Sequence, residues 1–268
     1  MNILLPTDFS QNSRNAAAYA MQFFKDIPCN FHFLHVFPVS AGSLSSVIRS
    51  IPSEIQEQFD LLLKELNYNK VNPGHNFHIS FKVNYLIEAV REEVISKNID
   101  LILMGTKGAT NRENSVIGKN TSDVMMKVKC PVLAISEKAV YKGHHEILFP
   151  TDYKIRYGGK MLSTLFNLIS LSQASVKILE IYNSEKEPSE DQTMNSIYLK
   201  NAFSPNLPKH QAFYRSENQN ANSIFNANEK IDMIVLAAKN LNICHKLLNN
   251  QQNSNIPFIN ELPLLVLH

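Results

Sequence analysis

The chain has no tryptophan, three cysteines, eight glycines and no long apolar run among its 268 residues. Each scarcity excludes something. Cys29, Cys130 and Cys244 lie far apart, their number is odd and no CxxC pair occurs, so neither a disulfide framework nor a zinc site is indicated and a reducing compartment is expected. The first apolar run, Asn2-Ile3-Leu4-Leu5, follows no basic stretch and stops at Pro6-Thr7-Asp8, too short for a signal-peptide core. Nothing approaches the ~20 apolar residues that span a bilayer. Charge is scarce as well, at 19% of residues against roughly 25% in an ordinary soluble domain. Twenty-six basic and 24 acidic side chains leave a net +2, which gives no dense basic face, so no nucleic acid and no membrane is an expected partner. With 44% hydrophobic residues the chain still has material for a core, and a cytoplasmic protein is the expectation.

Catalytic signatures are missing too. There is no GxxxxGKS/T phosphate loop, no GxGxxG, no GxSxG elbow and no HExxH, and the spacing of serines and histidines selects no triad. His32 and His35 stand three apart in an apolar run, which puts them on opposite faces of a strand and gives them structural or surface roles.

What the sequence does contain is a repeat. Ile3-Leu4-Leu5-Pro6-Thr7-Asp8 recurs 144 residues on as Ile147-Leu148-Phe149-Pro150-Thr151-Asp152, and Ile99-Asp100-Leu101-Ile102-Leu103-Met104 recurs 132 residues on as Ile231-Asp232-Met233-Ile234-Val235-Leu236. Pro131-Val132-Leu133 keeps the second offset at Pro263-Leu264-Leu265. The order of the segments is preserved, so a tandem duplication with a deletion in the second copy accounts for them. The expected domains are residues 1–138 and 145–268. Asp100 and Asp232, repeated before the same strand, read as residues with a shared structural task.

Each half alternates strand and helix. In the first, Ile3–Leu5, Phe31–Phe37, Phe77–Val83, Leu101–Met104 and Val132–Ile135 read as strands. Between them run helices, the first capped by Ser10 and the last over Lys119–Lys129. The second half follows with strands at Ile147–Phe149, Val176–Tyr182, Ala212–Tyr214, Met233–Leu236 and Leu264–Leu267, a further helix around Ala221–Glu229 and a polar loop at Asn249–Asn255. Such alternation implies right-handed βαβ units and a parallel sheet covered on both faces, a doubly wound α/β fold. The uninterrupted apolar run Leu101–Met104 fits a buried parallel strand.

In such sheets ligands enter beyond the carboxyl ends of the strands, where strand order reverses. Asp8 follows the first strand there, and Gly105-Thr106-Lys107-Gly108 with Gly118-Lys119 runs from the fourth strand into a helix. Glycines let a backbone approach a phosphate, and a helix N-terminus favours an anion.

Pro6-Thr7-Asp8, His35-Val36, the pattern Gly-x2-Gly-x9-Gly and Pro131-Val132-Leu133 together resemble the universal stress protein family, as two tandem copies. The resemblance implies a Rossmann-like, adenine-nucleotide alpha hydrolase-like domain with five parallel strands in order 3-2-1-4-5. For the glycine-bearing subgroup it implies ATP or AMP as ligand, with Mg2+ as an accompanying ion. Carried onto this chain, the nucleotide site comprises Pro6, Thr7, Asp8, Val36, Met104, Gly105, Gly108, Gly118, Lys119 and Asn120. Asp8 then holds the ribose or adenine region, Val36 meets adenine through its backbone, and Met104 with the three glycines lines the phosphate side.

Two departures stand out. Where the family has Ser or Thr after the last glycine, this chain has Lys119, which either compensates as a point charge or points to water. In the second half, Ala237-Ala238-Lys239-Asn240 replaces the first glycine pair and no glycine follows residue 159, so at most one nucleotide site is expected, in the first half. The resemblance further implies an intrachain pseudo-dimer through the terminal strands, with a homodimer as an additional option. The leading expectation is a non-catalytic, nucleotide-binding regulatory module of the stress response. A scaffold without nucleotide and a slow ATPase using Glu113 are the alternatives.

Overall fold

The computed structural model describes residues 1–38, 53–68, 72–106, 117–143, 146–182, 187–203, 211–217, 231–240 and 262–268. The chain divides into two compact units, Met1–Tyr141 and Lys142–His268. The first runs β1 (Asn2–Pro6), α1 (Gln11–Phe23), β2 (Asn30–Phe37), α2 (Ser53–Tyr68), β3 (Asn76–Val83), α3 (Leu86–Ser96), β4 (Leu101–Gly105), α4 (Lys119–Lys127) and β5 (Val132–Ile135). Its strands lie in the order β3-β2-β1-β4-β5 and every pairing is parallel. The second unit has β6 (Glu146–Thr151), α5 (Gly159–Ser172), β7 (Ser175–Tyr182), α6 (Glu190–Phe203), β8 (Gln211–Glu217), β9 (Met233–Ala237) and β10 (Leu264–Leu267). Its order, β8-β7-β6-β9-β10, is the same topology repeated, again all parallel. Both halves therefore have the expected doubly wound α/β architecture. The helix expected around Ala221–Glu229 and the polar loop at Asn249–Asn255 lie outside the described residues.

The central strands explain their own sequences. Ile3, Leu4 and Leu5 in β1 and Leu101, Ile102 and Leu103 in β4 are all buried, because helices cover both faces of a parallel sheet and leave no solvent side for alternation. Helix α1 starts where Ser10, in an extended conformation, accepts the N–H of Ser13 on its hydroxyl. Its inner face is built from Ala16, Ala17 and Ala20 as well as Tyr19 and Phe23, and the small residues let the helix approach β4 closely.

The duplication recurs in the hydrogen bonds. The Asp100 carboxylate accepts the N–H of Asn2 at 2.8 Å, and Asp232 accepts that of Glu146 at 3.0 Å, each tying the start of the fourth strand of its unit to the start of the first. Phe9 and Tyr153, 144 residues apart, both hold a left-handed backbone, with φ of 60° and 57°. In each case the preceding threonine hydroxyl accepts the N–H of that residue, at 3.1 Å from Thr7 and 3.0 Å from Thr151. This local bond offsets a conformation that costs a non-glycine residue about 1–2 kcal/mol.

Candidate functional site

Strand order reverses between β1 and β4, and beyond their carboxyl ends lies a cavity of about 380 Å³. One wall is the turn after β1. There the Asp8 carboxylate accepts the N–H of Ser10 at 3.1 Å and its hydroxyl at 2.6 Å, which fixes the carboxylate on the exposed rim. Thr7 Oγ1 and Ser13 Oγ are hydrogen-bonded at 3.1 Å. His35, at the end of β2, places Nδ1 2.8 Å from the Thr7 carbonyl. A carbonyl only accepts, so Nδ1 carries the proton and Nε2 is left as the acceptor of the neutral ring. The Phe9 ring stacks on that imidazole with centroids 5.0 Å apart.

The opposite wall is the joint between β4 and α4. The Thr121 hydroxyl donates to the Gly105 carbonyl at 2.8 Å and the Gly118 N–H donates to the Thr106 carbonyl at 2.6 Å, drawing the start of α4 against the end of the strand. Gly118 occupies the N-cap and has no side chain with which to cap the first turn, which leaves the positive end of the helix dipole uncapped by a side chain.

Of the residues expected here, Pro6, Thr7, Asp8, Val36, Met104, Gly105 and Asn120 line the cavity together. Gly118 and Lys119 are not among its lining residues. The Lys119 side chain is 88% exposed and forms an ion pair with Asp123 at 2.9 Å, one turn along α4. Asp123 also receives Lys127 at 2.7 Å, and the hydrogen bonds from Lys127 and Lys119 hold its carboxyl below the ordinary aspartate range. Gly108 and Glu113 lie outside the described residues.

Sequence reasoning missed Ser13, His35, Asn84, Tyr85 and Thr121, which also line the cavity. His35 has the structural role expected of it, in its bond to the Thr7 carbonyl, and lines the cavity as well. Ser13 stands six residues after Thr7, the interval that separates Tyr157 from Thr151, but the two residue types differ and only the structure pairs each with its threonine. Nothing in the sequence marked Asn84 or Tyr85, which reach the cavity because β3 ends beside β2.

The family model described as "Universal stress protein family" matches residues 1–136. The chain belongs to that family. Two universal stress proteins of Methanocaldococcus jannaschii are similar to it. One is 28% identical over 142 residues, covering 50% of this chain and 81% of the relative, and the other is 26% identical over 154 residues, covering 51% and 94%. The crystal structure of a universal stress protein from Archaeoglobus fulgidus superposes with a TM-score of 0.69 at 18% identity, covering 99% of this chain and 97% of that one. At that identity the likeness establishes the universal stress protein fold alone, and it does so over both halves of the sequence. Among the described residues, no helix is long and apolar enough to cross a membrane.

Proposed function

We propose that this universal stress protein binds an adenine nucleotide, ATP or AMP, at one site in its first unit and acts as a non-catalytic cytoplasmic regulatory module. The observation that carries the reading is the convergence, around one cavity, of the Asp8 carboxylate, the His35-Val36 strand end, the Met104-Gly105 backbone and the start of α4. The groups present suit the ligand: a carboxylate to accept from ribose hydroxyls, an apolar and backbone-lined slot for a base, and an uncapped helix start for phosphate. About 380 Å³ lies within the range of small-molecule sites. Nucleotide released from the purified protein and separated by chromatography tests the reading directly. A melt in millimolar ATP, with and without Mg2+, tests it again, because ligand at 100 times its dissociation constant stabilises by about 2.7 kcal/mol. Asp8→Ala is expected to abolish most of that shift. Absence of bound nucleotide together with an unshifted melt would overturn the proposal, and phosphate release from ATP would overturn its non-catalytic part.

A further inference from the structure

Among the described residues, the second unit repeats the turn after the first strand, but different side chains stand beyond it. Thr7 meets the small Ser13, which lines the cavity, whereas Thr151 meets Tyr157 through the same hydroxyl-to-hydroxyl bond. The Tyr157 ring is 1% exposed and packs edge-on against Phe149 with centroids 5.4 Å apart. Asn240 stands at the position that corresponds, 132 residues on, to Gly108. Its amide donates to Asp152 Oδ1 at 2.8 Å. Asp8 is exposed on the rim of its cavity, but Asp152 is only 8% exposed, and Asn240 is 4% exposed.

We propose that Tyr157 and Asn240 form a built-in occupant of the second unit's crevice, filling with side chains the space that the first unit leaves open. The amide of Asn240 gives Asp152 the hydrogen bond that a ligand hydroxyl would otherwise supply. Other described groups around the turn are paired as well. The Lys154 N–H donates to Asp152 Oδ1 at 3.1 Å, and Gln192 donates to the Asp152 carbonyl at 2.8 Å. The Tyr153 hydroxyl donates to Glu180 at 2.8 Å, and Glu180 is in turn paired with Lys200 at 2.8 Å. A buried polar network whose members are mutually satisfied is rigid and has no need of a ligand. The second unit therefore keeps this arrangement without a ligand, and any nucleotide response belongs to the first unit alone, as single-site binding without cooperativity. That last consequence rests on the proposed function; the built-in occupant does not.

Hydrogen–deuterium exchange on the full chain, with and without ATP, tests the proposal. In the native protein the peptide 147–157 is expected to be protected without ATP and unchanged by it. Asn240→Gly is expected to speed exchange in that peptide about tenfold, the effect of leaving one buried polar group unsatisfied, with peptide 1–15 unaffected. Tyr157→Phe keeps the ring and removes only the hydroxyl, so a smaller acceleration in the same peptide is expected even if the glycine variant folds poorly. Protection of 147–157 that rises when ATP is added to the native chain overturns the proposal. So does an Asn240→Gly protein whose 147–157 peptide exchanges at the native rate. An ATP-insensitive peptide 1–15 counts against the nucleotide reading alone.

Discussion

Gly105 shows how one residue can answer to two demands. The sequence marks it as a backbone position beside a phosphate, and it does line the cavity. Yet a Cβ there would lie 2.8 Å from Cγ of Asn12 and 3.0 Å from that residue's carbonyl carbon, so α1 rests directly on the glycine. Gly105→Ala is expected to destabilise the protein by about 1–3 kcal/mol through overpacking, read as a lower urea midpoint. Loss of nucleotide affinity in that variant then reports packing as well as contact. Lys119 gives the opposite lesson. Its sequence position allowed a phosphate role, but its ammonium extends along α4 to Asp123. Lys119→Ala is expected to leave nucleotide affinity within about twofold, as removal of an exposed ion pair does, and a larger loss measured by titration would restore the phosphate role. The Thr121 hydroxyl, two residues beyond Lys119, bonds the Gly105 carbonyl, which no spacing rule could reveal.

At the scale of elements, alternation placed β2 correctly but not what lies beside it. His32 and His35 do point to opposite faces, one stacking on His78 of β3 with centroids 4.8 Å apart, the other joining the cavity. The partner His78 is set by the parallel register, His32 opposite His78, which the sequence does not state. Burial, together with the nearby His78 and Lys97, pushes the His32 pKa down, and Glu93 only partly opposes this. The unfolded chain therefore takes up this proton first as pH falls. The neutral His32 adds stability above its unfolded value near 6.5, and that stability is lost as pH drops through the lower folded value. A melting temperature that declines below about pH 6.5 is expected, with the decline shallower in His32→Gln. An equal slope in the variant would assign the decline to other groups. The cap of α1 was legible from Ser10 alone, because a hydroxyl that accepts the N–H three residues on is a local interaction.

For the whole molecule, the duplication was written in the sequence because strands buried on both faces admit few residue types. Ile99-Asp100 and Ile231-Asp232 keep their places for the bond each aspartate makes to the first strand of its unit. Asp100→Ala and Asp232→Ala are each expected to lower stability by about 1 kcal/mol, and the double variant by their sum within roughly 0.5 kcal/mol, since the two bonds run to different residues, Asn2 and Glu146. Strongly non-additive denaturation curves would show the two bonds to be coupled. The sequence by itself determined the two-unit organisation, the strand and helix order and the inequality of the glycine loops, since these follow from periodicity, repetition and residue type. Tertiary structure alone decided that His35 and Ser13 belong to the cavity, that Lys119 stays outside it, and that Tyr157 and Asn240 fill its counterpart. Those outcomes depend on where separate strands and helices bring side chains together across dozens of residues, and no local pattern encodes such distances.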